Sequence, residues 1–192
     1  MRASNHEAAV DVLKQATTAN ASDARLWIAL GQSLEQHDRP GDAIDAYRNA
    51  INAEPQALPA YEAMGKLLED AGDDRAALAC YEQAAEAIGS TPMITLRIAW
   101  LHATSTDPTV LNGQNALQLM NMLATAGVMN QPESLHVLAA TQARGGMYEQ
   151  AINSAHRALA GAEIQGKVEL VEEIRRSLAS YEAGKPYTRP AR

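Results

Sequence analysis

Few residues in this chain have the types and spacing that chemistry requires. His102 and His136 could share a metal ion if stacking brought the elements that carry them together, but no Cys or carboxylate ligand stands beside them to complete a site. Cys80 lies among Ala77, Leu78 and Tyr81, an apolar setting that predicts a buried, inert thiol rather than a nucleophile. Asp73 and Asp74 follow a glycine at a helix start, where carboxylates cap the helix and favour its dipole, so they predict a cap and not a cation site. Met120, Met122, Met129 and Met147 would suit an adaptable apolar surface, but Met is equally a gap-filler in cores. There is no glycine-rich phosphate loop, no Gly-x-Ser-x-Gly and no paired-histidine zinc motif, and Asn20-Ala21-Ser22 is read as a chance sequon. The expectation is a chain with no catalytic residues, no metal and no cofactor, which is not an enzyme.

Composition points the same way. The chain has 192 residues, 46% of them apolar, enough for one core or one continuous array. No apolar run is long enough to span a bilayer. Lys plus Arg is 16 against 23 for Asp plus Glu, a net charge of −7, which disfavours nucleic acid as a partner. The acidity belongs to residues 1–96, with 7 basic and 15 acidic side chains, whereas residues 97–192 carry 9 and 8. From Arg175 onward Arg175, Arg176, Lys185, Arg189 and Arg192 make a basic end, read as solvated or as meeting an acidic surface. One cysteine excludes a disulfide framework, and the polar stretch from Met1 to Asn20 lacks a signal peptide. As written the chain is expected in the cytoplasm, or in the periplasm if it is a piece of an exported protein. With no Phe, only 4% aromatic residues and abundant Ala, the fold class is all-α.

A period organises the helices. Trp27, Leu30, Gly31, Leu34, Ala43, Tyr47 and Ala50 recur 34 residues later as Tyr61, Met64, Gly65, Leu68, Ala77, Tyr81 and Ala84. Trp27, Leu30 and Leu34 share one helical face, and Ala43, Tyr47 and Ala50 form the facing stripe of the next helix. Gly31 and Ala43 permit close approach, and Tyr47 fills the space that approach leaves. Breakers at Asp38-Arg39-Pro40-Gly41 and Ala71-Gly72-Asp73 separate the helices, so each unit is a helical hairpin.

This pattern resembles the tetratricopeptide repeat family, and the degenerate third unit resembles those near the C-terminal end of bacterial-type arrays. The resemblance implies a right-handed superhelical solenoid of antiparallel hairpins forming one array over residues 1–192. A half repeat is expected at 6–20, repeats at 24–57, 58–91, 97–130 and 132–165, a capping helix at 166–183 and a tail at 184–192. In the third unit Trp100 takes the aromatic slot and Ala103-Thr104 replaces Leu-Gly, with five extra residues placed near Gly89-Ser90-Thr91-Pro92. The half repeat aligns Ala9, Leu13 and Ala16 with a second-helix stripe; it is either a remnant of a longer array or a cap. Val168, Val171, Ile174, Leu178 and Tyr181 are expected to line the inner face of the capping helix.

The family also implies a concave groove lined by first helices, at the second, fifth, ninth, twelfth and thirteenth slots of each unit. In the first two units these are Arg25, Ile28, Gln32, Glu35 and Gln36, then Pro59, Glu62, Lys66, Glu69 and Asp70. Ile98, Leu101, His136, Ala140 and Arg144 continue the series, with His102 adjacent. The expected partner-binding residues are Arg25, Gln32, Glu62, Lys66, Glu69, His102, His136 and Arg144. Ile28 and Gln32 stand where a carboxylate-clamping groove would need Lys and Asn, which disfavours a chaperone-tail receptor. The expected function is a scaffold binding a peptide or helix of a partner protein, with a peptide carrying basic and apolar residues as the expected ligand. The alternatives are the regulatory portion of a larger enzyme, such as a glycosyltransferase, and self-association through the half repeat.

Overall fold

The computed structural model describes residues 2–189, with side chains from Ala8 onward; residues 190–192, with the Arg192 of the basic end, lie outside the described residues. Ten helices and no strands are found among them, in two compact units that divide after Ser90.

The first unit holds α1 (Arg2–Ala19), α2 (Ala24–Glu35), α3 (Pro40–Ala53), α4 (Leu58–Asp70) and α5 (Asp74–Ile88), each packed against the next. Local chemistry starts each element: Asp23 caps α2 by accepting from the Arg25 amide, Asp73 caps α5 through the Ala76 amide, and proline opens α3 and α4. Gly72, at φ 77°, makes the turn between α4 and α5 in a conformation that side chains disfavour.

The hairpin cores carry out the packing that the period implies. A Cβ added to Gly31 would lie 2.6 Å from the Tyr47 ring, and one on Gly65 would lie 2.4 Å from that of Tyr81. Both rings are buried to within about one part in a hundred, each contributing about 2–3 kcal/mol by leaving water. Ala43, Ala50, Ala77 and Ala84, which flank them on the same stripes, are fully buried. The face of α1 is rotated from the expected one: Val10 and Thr17 are buried and Leu13 half-buried, whereas Ala9 is exposed. The stripe of positions 10, 13 and 17 presents larger side chains to α2 than 9, 13 and 16 would.

The second unit holds α6 (Pro92–Thr104), α7 (Gly113–Thr125), α8 (Pro132–Arg144), α9 (Tyr148–Ile164) and α10 (Val168–Glu182). Its first helices touch directly, α6 against α8 and α8 against α10, and α7 and α9 pair with their neighbours. The third hairpin departs from the expected register. Its first helix starts at Pro92, five residues before 97, because Thr91 caps it by accepting from the Ile94 amide at 3.3 Å and proline suits the first turn. The extra residues therefore fall inside the hairpin, in the Ser105–Asn112 connection, which Asp107 folds by accepting from the Thr109 amide. Ile98 and Ala99 then occupy the Leu-Gly slots, and Trp100 moves to the ninth slot, on the same face as Gln32 and Lys66.

In the fourth hairpin the large and small partners are replaced together: Ala139 and Ala155, both fully buried, stand where the first two units have Gly and Tyr. Val171, Ile174, Leu178 and Tyr181 bury the inner face of α10, but Val168 is 71% exposed, since the helix begins there, beyond the edge of α9.

Candidate functional site

The first-helix slots divide sharply between the two units. On the first unit Arg25, Gln32, Glu62 and Lys66 are exposed, as a binding face requires. Arg25 meets Asp23 through Nε at 3.0 Å and Nη2 at 2.9 Å, a contact that holds the Asp23 carboxyl below its usual range and the guanidinium above its own. Glu62 and Lys66 lie one turn apart in the favourable order for opposite charges on a helix.

Glu69 is the exception: the structure turns it inward. It is 7% exposed and accepts from the Tyr81 hydroxyl at 2.9 Å, and Glu35 accepts from Tyr47 in the same way. Each tyrosine hydroxyl emerges at the edge of its hairpin core, where the twelfth slot supplies the carboxylate that keeps it from being buried unsatisfied. Burial, then Glu35, raises the Tyr47 phenol. Cys80 donates to the Tyr61 carbonyl at 3.6 Å, and burial pushes its thiol up to about 12, so it is a closed core group.

On the second unit three more expected binding residues serve the fold. His102 donates from Nδ1 to the Val110 carbonyl at 2.7 Å and accepts at Nε2 from Asn115 at 2.8 Å. It ties α6 to the connection that follows and to α7. His136 is 3% exposed, packs with its ring tilted 48° and 4.7 Å from that of Trp100, and pairs with Ser177 Oγ at 3.1 Å. Because Ser177 donates to the Ile174 carbonyl at 2.9 Å, its oxygen accepts from His136 Nε2–H. Burial, with the Arg97 charge added, lowers this imidazole to about 3. The two histidines are thus committed to separate partners. Arg144 is half-buried and donates from Nε to the Ala103 carbonyl at 2.8 Å, its stem lying over Gly113, where a Cβ would come within 2.7 Å.

The Arg144 contact is one part of a complete closure. A helix leaves its last four carbonyls without helical partners. In α6 these are met by the Ser105 amide on Leu101, the Asn112 amide on His102, Arg144 Nε on Ala103 and the Arg189 amide on Thr104, the last at 3.2 Å. The residues after α10 are therefore docked in part: Tyr187 is buried and Arg189 half-buried, while Lys185 and Thr188 stay exposed. Lys185–Arg189 folds back onto α6 as a non-helical strap, with Tyr187 6% exposed and its ring 6.1 Å from that of Trp100. Arg175 likewise pairs within the unit, with Glu163 at 3.0 Å and Glu172 at 3.4 Å.

Trp100 also borders a cavity of about 350 Å³, which Tyr187 does not line. Met93, Leu96, Trp100, Val128, Val137 and Leu170 make it apolar, and Arg97, Glu133 and Glu173 stand at its polar margin. Glu133 is held by Lys167 at 2.5 Å. Ser134, 1% exposed, lines it with a hydroxyl that has no partner among the described residues. Met93, Leu96 and Trp100 hold the second, fifth and ninth slots of α6, so this cavity lies on the same helix face that is exposed and polar in the first unit. Periodicity missed it because Trp100 reads as a core aromatic. The Thr91-Pro92 cap was the signal that would have restored the register.

Two family models, both described as tetratricopeptide repeat, match residues 24–67 and 58–90. Among curated protein sequences none matches. Solved structures match well in fold. MamA has a TM-score of 0.65 at 14% identity, covering 86% of this chain and 94% of its own. The APC/C hetero-tetramer Cut9-Hcn1 has a TM-score of 0.65 at 19% identity, over 95% of this chain and 36% of the other. TTC0263, a thermophilic tetratricopeptide protein of Thermus thermophilus, has a TM-score of 0.61 at 15% identity, over 95% and 93%. The repeated hairpins with their Gly-Tyr cores and the matched models agree: residues 24–90 are tetratricopeptide repeats, and the solved structures share the fold of the chain.

Proposed function

We propose that this interaction scaffold binds a peptide or helix of a partner protein along its first-helix faces. One observation carries the reading. The slots that the hairpin cores leave unused, at Arg25, Gln32, Glu62 and Lys66, remain exposed, and the same slots on α6 line an open cavity. An exposed side chain at a repeated position, with no packing role, is free to meet a ligand. That Cut9 forms an assembly with Hcn1 supports protein binding by this architecture.

The acidic balance of residues 1–96 favours a basic segment on the first unit, since opposite charge raises encounter rates and suppresses wrong partners. Titration of a set of basic peptides, followed by polarisation at low and high salt, tests this. Salt-sensitive binding that Glu62→Lys weakens and that Lys66→Glu strengthens is the expected result. Binding that ignores both substitutions and the salt removes the first unit from the reading.

No helix among the described residues is long and apolar enough to cross a membrane. The tetratricopeptide fold is a non-catalytic scaffold type, and the function rests on what the face holds.

A further inference from the structure

We propose that the Lys185–Arg189 strap is an intramolecular placeholder on the second unit, occupying the seat that a partner's non-helical segment takes when it binds. The inference rests on the peptide-binding reading above and names the ligand for the second unit: a segment with an aromatic anchor for the Trp100 seat and an uncharged apolar side chain for the adjoining cavity.

Three observations converge on α6. The strap shows how a non-helical segment docks there, with an aromatic ring against Trp100 and, two residues on, a backbone amide on the buried Thr104 carbonyl. No strap residue lines the cavity of about 350 Å³ that Trp100 also borders, where the Ser134 hydroxyl lacks a partner among the described residues. A buried polar group left unpaired is costly, and a segment whose backbone pairs with it gains that contribution, which the strap does not. The cavity favours an apolar side chain over an ion, because Arg97, Glu133 and Glu173 already have partners and the six apolar side chains offer an ion nothing in place of water. A longer segment that also fills the cavity therefore makes every contact of the strap and adds others. The strap has a single buried side chain, Tyr187, and its advantage is its tether, which gives it an effective concentration of about millimolar order.

The test uses the full chain with a protease site placed between Gly184 and Lys185, so that the protein folds before it is cut. A fluorescent synthetic peptide of residues 184–189 is the probe, and Tyr187→Ala in the uncut chain is the second variant. The cut chain, with the released strap removed by dialysis, is expected to bind the probe, and the uncut parent to bind it at least ten-fold more weakly. Tyr187→Ala is expected to approach the cut chain. A derivative carrying a leucine beyond Lys185, spaced to reach the cavity, is expected to bind more tightly than the probe, and Ser134→Val to alter that gain without changing binding of the shorter probe. A cut chain that keeps its helical circular dichroism and does not bind the probe overturns the proposal. So does equal binding to cut and uncut chains, which would place the probe elsewhere. Both outcomes leave the basic-peptide titration of the first unit standing on its own, so the two readings fail separately.

Discussion

The Tyr81 hydroxyl donates to Glu69 Oε1 at 2.9 Å, joining the two helices of the second hairpin at the edge of a core that Gly65 keeps narrow. Glu69 thereby leaves the exposed face of α4 to Glu62 and Lys66. Glu69→Ala is expected to strand the Tyr81 hydroxyl and cost about 1–3 kcal/mol, with Glu69→Gln, which keeps an acceptor, costing less. Urea denaturation measures both. If Glu69→Ala left stability unchanged while abolishing peptide binding, the residue would belong to the face after all.

Gly31→Ala and Gly65→Ala should each destabilise by about 1–3 kcal/mol, because the new Cβ meets a ring that has no room to retreat. The gain in helix propensity, about 1 kcal/mol, opposes this and is the smaller effect. Gly41→Ala is the control, since nothing lies within 4 Å of its added Cβ. Thermal unfolding of the three variants side by side decides whether the clash wins.

His136 sets a pH dependence. Its imidazole is lowered from 6.5 to about 3 in the fold by burial and then by Arg97, while the unfolded chain takes up the proton at the ordinary value. Between these two values the unfolded state holds more protons than the native one. Stability is therefore complete above pH 6.5 and declines as pH falls toward 3, by up to about 1.4 kcal/mol per unit. His136→Gln is expected to flatten this part of the stability curve. Parallel curves for parent and variant would show that the ring titrates normally.

Arg144→Met keeps an apolar stem over Gly113 but removes the donor on the Ala103 carbonyl. The expected cost is about 1–3 kcal/mol, felt first as faster hydrogen exchange in Ser105–Asn112, whose folding depends on the end of α6. Uniform exchange across the second unit would instead assign Arg144 to the unit's global stability.

The sequence alone determined the first hairpins, from their 34-residue period, the capped start at Asp73, and the pairing of Gly31 with Tyr47 and Gly65 with Tyr81. Those features are local: amphipathic spacing and a small residue opposite a large one lie within one unit, so they can be read along the chain. The third hairpin was legible as a hairpin but not in register, because Trp100 imitates a core aromatic and Thr91-Pro92 was read as part of the connection between hairpins. Tertiary structure decided which polar first-helix slots are available. Glu69 is claimed from 12 residues away, His136 and Arg144 each from 41, and Thr104 by Arg189 across 85. A slot's position follows from helical geometry, but its freedom follows from whether a distant donor or acceptor reaches it to escape burial unsatisfied. That depends on how the ends of α6 and α8 and the strap come together, which no repeat period encodes.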